Sequence, residues 1–118
     1  MPIIHVEQDY TPATFNTPQF SDHVAGVLAT HFGADRVCTV PSVMGGEDFG
    51  QYYRADNTIE SLIFWVGGVD PEKVAQARRG EIKLPSLHSP HWAPDPVAVI
   101  GTAAKAMTVA ALDILKKS

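Results

Sequence analysis

A glycine pair followed by two carboxylates is the first feature of the chain that could take part in chemistry. Gly45 and Gly46 lead directly into Glu47 and Asp48. Glycines let the backbone approach a ligand closely, so one carboxylate could face a ligand while the other caps a helix. Adjacent helical side chains diverge by about 100°, so Glu47 and Asp48 cannot share one task. The alternative, which the local sequence favours, is that both simply complement a helix N-terminus.

A proline-rich loop carries the second feature, a histidine that could bind a metal ion. His88 and His91 flank Ser89 and Pro90, and stiff flanking residues reduce the reorganisation needed for metal binding. On spacing alone, such a pair more often belongs to an ordinary surface loop. A catalytic zinc ion needs about three protein ligands, and no second cluster supplies the others. Asp48 could instead accept a hydrogen bond from a metal-bound imidazole.

The composition indicates a single globular domain of 118 residues, 45% of them hydrophobic. A net charge of -4 with scattered lysines and arginines argues against nucleic acid as a partner. The single cysteine, Cys38, excludes an internal disulfide, and we expect it to be buried in a strand. No window reaches roughly 20 uninterrupted apolar residues, and the N-terminus lacks signal-peptide character. We therefore expect a soluble, cytoplasmic protein without a membrane partner.

Three helices and one helical turn are predicted. The clearest has Thr17 as its cap, Pro18 in its first turn and Gly33 as its stop, with apolar residues at helical spacing between them. A short helix is expected over residues 47–53, and a helical turn opens at residues 70–72. The last segment, residues 97–117, carries an apolar stripe of Ile100, Ala104, Met107, Ala111, Ile114 and Leu115, and we expect it to pack across a sheet.

Three segments are predicted to form β-strands. Residues 36–40 are short and β-branched, residues 61–67 are apolar almost throughout, and residues 2–6 have extended character. Helices that alternate with strands favour a layered α/β fold, in which residues 61–67 form a central strand. The prediction is therefore a partial sheet flanked by helices.

Four segments, taken together and in order, resemble a known family. They are residues 10–16, residues 44–49 with the Gly-Gly-Glu-Asp-Phe motif, residues 64–67, and residues 87–90 with the Leu-His-Ser-Pro motif, followed by the alanine-rich final helix. They are similar to the C-terminal end of the zinc-dependent amidohydrolases and metallopeptidases related to hippurate hydrolase, aminoacylase, carboxypeptidase G and the auxin-conjugate hydrolases. The resemblance implies that residues 1–118 form one α/β domain, the C-terminal part of a zinc-peptidase-like (phosphorylase/hydrolase-like) catalytic domain.

The resemblance also implies a function. The complete enzyme would hydrolyse the amide bond of N-acyl amino acids or small peptides, with zinc or another divalent metal that this chain alone binds weakly or not at all. His88 matches a metal-ligand position, and Gly45, Gly46, Glu47 and Asp48 match a stretch of the active-site wall.

The chain departs from the family pattern in what it lacks. The general base, the remaining metal ligands and the lid or dimerisation domain have no counterpart in it. The chain alone should therefore be inactive, and its expected partners are the N-terminal catalytic segment, the small-molecule substrate and a possible second copy. The alternative is a non-catalytic module derived from the family that binds a small molecule or dimerises.

Overall fold

The computed structural model describes residues 1–6 and 10–116, and within these ranges the regular structure is helical. Four α-helices are present there: α1 (Pro18–Phe32), α2 (Gly50–Ala55), α3 (Pro71–Arg78) and α4 (Pro96–Ile114). A 3₁₀ turn at Ala34–Arg36 follows α1. The chain divides into two compact units, Met1–Phe64 and Trp65–Ser118.

The predicted α/β fold, a partial sheet flanked by helices, is wrong for the described residues, because none of them lies in a β-strand. Residues 2–6, 36–40 and 61–67 all lack strand pairing. Val37 has the extended backbone of a strand residue, with φ -115° and ψ 119°, as expected for a β-branched side chain. A strand also needs a neighbouring strand to complete its ladder of hydrogen bonds, and composition cannot supply one. Residues 1–6 and 10–116 therefore do not adopt the zinc-peptidase-like α/β architecture.

Helix α1 of the first unit confirms the clearest sequence prediction. It begins at Pro18 and buries Val24 and Leu28. Gly33 ends it with φ 97°, a conformation that side chains with a Cβ rarely adopt, and donates its N–H to the carbonyl of Ala29 at 2.9 Å. The local signals were sufficient here because proline and glycine act through their own backbone conformations.

Two polar residues before α1 hold the segment at residues 61–63. The Thr17 side chain does not cap α1 as predicted. Its hydroxyl accepts a hydrogen bond from the backbone N–H of Ser61 at 2.9 Å, and its own N–H donates to the Ser61 carbonyl at 2.8 Å. The Asn16 side chain bonds both backbone groups of Ile63. These contacts replace the strand pairing that was expected for this segment.

Helix α2 begins at Gly50, three residues later than predicted. A Cβ on Gly50 would lie 2.9 Å from the carbonyl oxygen of Ala13, so the small residue lets the two chain segments approach closely. An aromatic contact anchors the helix: the ring of Tyr53 lies 4.9 Å from that of Phe15 between centroids. Tyr52, by contrast, is 62% exposed.

The helices of the second unit both begin at an aspartate. Asp70 accepts hydrogen bonds from the N–H groups of Glu72 and Lys73, which confirms the predicted helix start. Asp95 accepts from the N–H groups of Val97 and Ala98, each at 3.0 Å. Both helices also have proline in the first turn, where the missing N–H costs no helical hydrogen bond.

Helix α4 is mostly exposed. Ala106 is the one residue of this helix that is buried, and the predicted packing across a sheet is wrong because the described residues form no sheet. By length and composition α4 could cross a membrane, although Lys105 interrupts its apolar run. A single helix of this kind is weak evidence for a membrane span, since the core helix of a soluble protein passes the same test.

Candidate functional site

The glycine and acidic residues of the first predicted site lie on the surface of the first unit. Gly45, Gly46, Glu47 and Asp48 are all exposed. Neither glycine has a positive φ, and a Cβ on Gly45 would meet nothing within 4 Å. The backbone conformation at these two positions therefore does not require glycine.

The two carboxylates precede α2 instead of lying in its first turn. Glu47 accepts a long hydrogen bond of 3.5 Å from the N–H of Phe49, the residue before the helix. This contact agrees with the alternative that the acidic residues complement a helix N-terminus. The helical divergence of Glu47 and Asp48 does not apply, because both residues lie outside the helix.

An open depression surrounds these carboxylates. Its walls are Glu47, Asp48, Phe49, Gln51 and Tyr52. Phe49 and Tyr52 form an edge-to-face pair with ring centroids 5.7 Å apart, so the lining has aromatic as well as acidic members. Water reaches the carboxylates freely, so their electrostatic interactions are screened. The depression could contact part of a ligand, but it is not an enclosed cavity.

The second predicted site, the histidine loop, lies in the second unit and is built from consecutive turns around Ser89. The N–H of Ser89 donates to the Ser86 carbonyl at 2.9 Å, and the Ser89 carbonyl accepts from the N–H of Trp92 at 3.0 Å. The Ser89 hydroxyl accepts from the N–H of His91 at 3.2 Å. His88 and His91 are exposed on this ordered framework. A side chain presented in this way can bind a ligand supplied from outside the unit.

The C-terminal end of the loop is anchored by packing. Trp92 lies against Gly68, where a Cβ would come within 3.0 Å of the indole ring. Three residues later, Asp95 caps α4. The loop carrying His88 is therefore held between its own turns and the start of a long helix, and glycine at position 68 makes room for the anchor.

Residues 1–6 and 10–116 contain no group of three or more histidine, cysteine, aspartate or glutamate side chains that could hold a metal ion. His88 can supply one imidazole nitrogen, whereas zinc needs about three protein ligands. The described part of the chain therefore does not fit a complete metal centre. The interaction between Asp48 and a metal-bound histidine stays a prediction.

Other reactive side chains lie apart from these segments. Cys38 is exposed, so the prediction that it is buried in a strand is wrong. The His31 ring contacts the carbonyl of Val27 within α1 at 3.0 Å. Sequence reasoning missed the bridging roles of Asn16 and Thr17, because nothing in their local sequence indicates a partner more than forty residues away.

Two shifted pKa values belong to turns outside the candidate site. The side-chain and backbone hydrogen bonds from Thr58 lower the pKa of Asp56. Hydrogen bonds to Glu81 and then Glu72 raise the pKa of Arg79, which follows α3. Both groups are solvent-exposed, and their shifts reflect turn stabilisation instead of catalytic tuning.

Comparison of the chain with protein-family models, with curated proteins and with solved structures finds no match.

Proposed function

We propose that this chain is part of a metal-dependent hydrolase that cleaves the amide bond of N-acyl amino acids or small peptides. His88 is its contribution to the metal site, and residues 45–48 are part of the active-site wall. The observation that carries the proposal is the exposed imidazole of His88 on a loop held by Ser89 and Trp92, within a sequence that resembles the amidohydrolase family.

The geometry supports His88 as a metal ligand but does not support catalysis by the chain alone. The turn around Ser89 is ordered by three hydrogen bonds, so the imidazole can be presented with little loss of conformational entropy. The described residues offer no group that would complete a metal centre. The general base and the other ligands must therefore come from a second segment, and the chain by itself should not hydrolyse amides.

Residues 45–48 would contribute to substrate binding by their shape and charge. The open depression beside them is lined by acidic and aromatic side chains, which suits contact with one end of a substrate that has polar and apolar parts. As part of the same proposal we expect a cytoplasmic location, which cell fractionation would check by finding the protein away from the membrane pellet.

Metal binding to the chain alone is the first test. Titration with zinc, followed by the NMR signals of the imidazole rings, should give no tight one-to-one complex, because a single histidine supplies too few ligands. A stoichiometric, high-affinity zinc complex of the isolated chain would contradict this part of the proposal.

Reconstitution with a cognate N-terminal segment is the second test. The combined protein should hydrolyse an N-acyl amino acid, and His88→Ala should abolish both its metal content and its activity. His91→Ala is the matched control, since His91 lies on the same loop and is also exposed. Unchanged metal content and activity in His88→Ala would show that the assignment of His88 is wrong.

A further inference from the structure

One side of the segment at residues 61–64 is bonded through its backbone. Ser61 uses both its N–H and its carbonyl in hydrogen bonds with Thr17. Ile63 uses the same two groups in hydrogen bonds with the side chain of Asn16. Every second residue therefore bonds toward the same side, which is the two-residue repeat of an extended strand. We call the side formed by the backbone groups of Ser61 and Ile63 the bonded edge.

The opposite side of this segment is formed by the backbone groups of Leu62 and Phe64. Successive residues of an extended strand turn their N–H and carbonyl groups to opposite edges, so these groups face away from the bonded edge. Within residues 1–6 and 10–116, no group forms a hydrogen bond with the N–H or the carbonyl of Leu62 or Phe64. We call this side the free edge.

The free edge belongs to an apolar part of the first unit. Leu62, Ile63 and Phe64 are half-buried. Backbone donors and acceptors in such surroundings ordinarily have partners, because an unpaired group costs free energy comparable to a lost hydrogen bond. A strand that is bonded along one edge and open along the other is a template for the addition of a further strand.

The spacing of the free backbone groups defines what can bind them. Leu62 and Phe64 are two residues apart, about 7 Å along an extended chain, and each presents one donor and one acceptor. An α-helix uses its backbone groups internally, and a lipid chain offers neither a donor nor an acceptor. The main chain of an extended polypeptide presents both at the required spacing.

The local charge restricts the partner further. Asp56 and Glu60 precede the free edge, and residues 55–64 contain no lysine or arginine. These carboxylates would repel the phosphates of a nucleic acid. A strand that carries a lysine or arginine at the end beside Glu60 would instead form a favourable cross-strand pair of opposite charges.

We propose that the free edge binds an extended segment of another polypeptide, which adds as a β-strand beside residues 62–64 and carries a basic residue near Glu60. Main-chain hydrogen bonds supply the affinity in this mode of recognition. Apolar side chains of the added strand would lie beside those of Leu62 and Phe64. The proposal does not depend on the hydrolase function.

Amide hydrogen exchange of the full chain, without a partner, tests the difference between the two edges. The N–H groups of Ser61 and Ile63 should exchange slowly, and those of Leu62 and Phe64 about tenfold faster, because only the first two are hydrogen-bonded. Equally slow exchange of all four N–H groups in a monomer would show that the chain covers this edge itself, and would overturn the proposal.

Titration of the full chain with the peptide Lys-Thr-Val-Thr-Val-Thr-Lys tests strand addition. The NMR signals of the Leu62 and Phe64 N–H groups should move downfield and their exchange should slow. The N–H groups of Ser61 and Ile63, which are already bonded, are the internal reference and should change little.

Two altered peptides separate main-chain recognition from other attraction. The same peptide with every backbone amide N-methylated keeps its side chains and charges but has no backbone donors, and it should bind at least about tenfold more weakly. The peptide Glu-Thr-Val-Thr-Val-Thr-Glu keeps its backbone donors and should also bind more weakly, because like charges would meet at Glu60. Equal binding of the lysine and glutamate peptides would overturn the basic character assigned to the partner.

Three results would overturn strand addition. The first is unchanged signals of Leu62 and Phe64 at millimolar concentrations of the lysine peptide. The second is equal binding of the N-methylated peptide, which would assign the binding to side chains. The third is a dimer in sedimentation equilibrium in which the N–H groups of Leu62 and Phe64 exchange slowly without peptide, which would assign the free edge to a second copy of this chain.

Discussion

The side-chain amide of Asn16 makes two hydrogen bonds with the main chain of Ile63. Its Nδ2 donates to the Ile63 carbonyl and its Oδ1 accepts from the Ile63 N–H, each at 2.9 Å. A carboxamide has the donor and acceptor of a peptide group, so Asn16 bonds Ile63 as one residue of a neighbouring strand would. An apolar extended segment is thereby tied to the start of α1 without a sheet.

Replacement of Asn16 should therefore weaken the first unit. Asn16→Ala removes both hydrogen bonds, and we expect the free energy of unfolding to fall by about 1–2 kcal/mol. Chemical denaturation would measure the change. Asn57→Ala, in an exposed turn, is the control and should change stability by less than about 0.5 kcal/mol. Equal effects of the two substitutions would contradict the bridging role.

The hydroxyl of Thr17 should contribute more to the stability of the fold than its methyl group does. Thr17→Val keeps the shape but leaves the N–H of Ser61, a residue with 3% exposure, without its acceptor. The cost of an unsatisfied buried donor is about 1–3 kcal/mol. Thr17→Ser retains the hydroxyl and should stay close to wild type. Thermal unfolding of the two variants would separate these outcomes, and similar losses would argue against the hydrogen bond.

Two glycine-to-alanine substitutions should have opposite effects. Gly50→Ala brings a Cβ to 2.9 Å from the Ala13 carbonyl oxygen, and we expect a loss of about 1–3 kcal/mol because the backbone must shift. Gly26 lies inside α1 with nothing within 4 Å of the added atom. Gly26→Ala should therefore stabilise the protein by about 0.5–1 kcal/mol. Melting temperatures measure both, and a stabilising Gly50→Ala would show that α2 does not contact residues 13–14 in this way.

The carboxyl of Asp56 should titrate below its ordinary value of 3.8. Its Oδ1 accepts from the Thr58 hydroxyl at 2.7 Å and from the Thr58 N–H at 2.9 Å, bonds that favour the charged form and lower the pKa. Because the folded-state pKa is lowered, this stabilising contribution is present above the unfolded value and is lost as the pH falls through the folded value.

Titration of the side-chain carbon signals by NMR would measure the pKa of Asp56. Thr58→Val should move it upward toward 3.8, because the larger of the two effects is lost, while Thr58→Ser should leave it lowered. An unchanged pKa in Thr58→Val would contradict the role of the hydroxyl.

The N-terminal cap of α4 should contribute measurably to the stability of this helix. Asp95→Ala leaves the N–H groups of Val97 and Ala98 without their acceptor and should cost about 1 kcal/mol. Asp95→Asn keeps a side-chain oxygen in place and should cost less. Hydrogen exchange over the first turn of α4 would report the difference, with faster exchange expected in Asp95→Ala.

Prediction from the sequence succeeded where the signal was local. The ends of α1 and the start of α3 follow from Pro18, Gly33 and Asp70, each of which acts on its own few neighbours. The predicted strands failed because pairing depends on distant chain. The exposure of Cys38 was missed for the same reason, since burial of a strand presupposes its neighbours.

The candidate site was also predicted only in part from the sequence. The sequence alone identified His88 and residues 45–48 from side-chain chemistry. The structure showed that Ser89 and Trp92 hold the histidine loop, and that Glu47 and Asp48 lie before α2 instead of within it. The metal role of His88 remains a prediction, because ligation requires donors that a single loop does not contain.

The amino-acid sequence by itself determined both ends of α1, the start of α3 and the apolar stripe of α4, since caps, prolines and helical periodicity act within one or two turns. Only the tertiary structure decided that residues 61–63 bond to Asn16 and Thr17 and that helix α4 is mostly exposed. Those outcomes depend on which distant groups come into contact, and the free energy of such contacts is a property of the folded chain, not of any one segment.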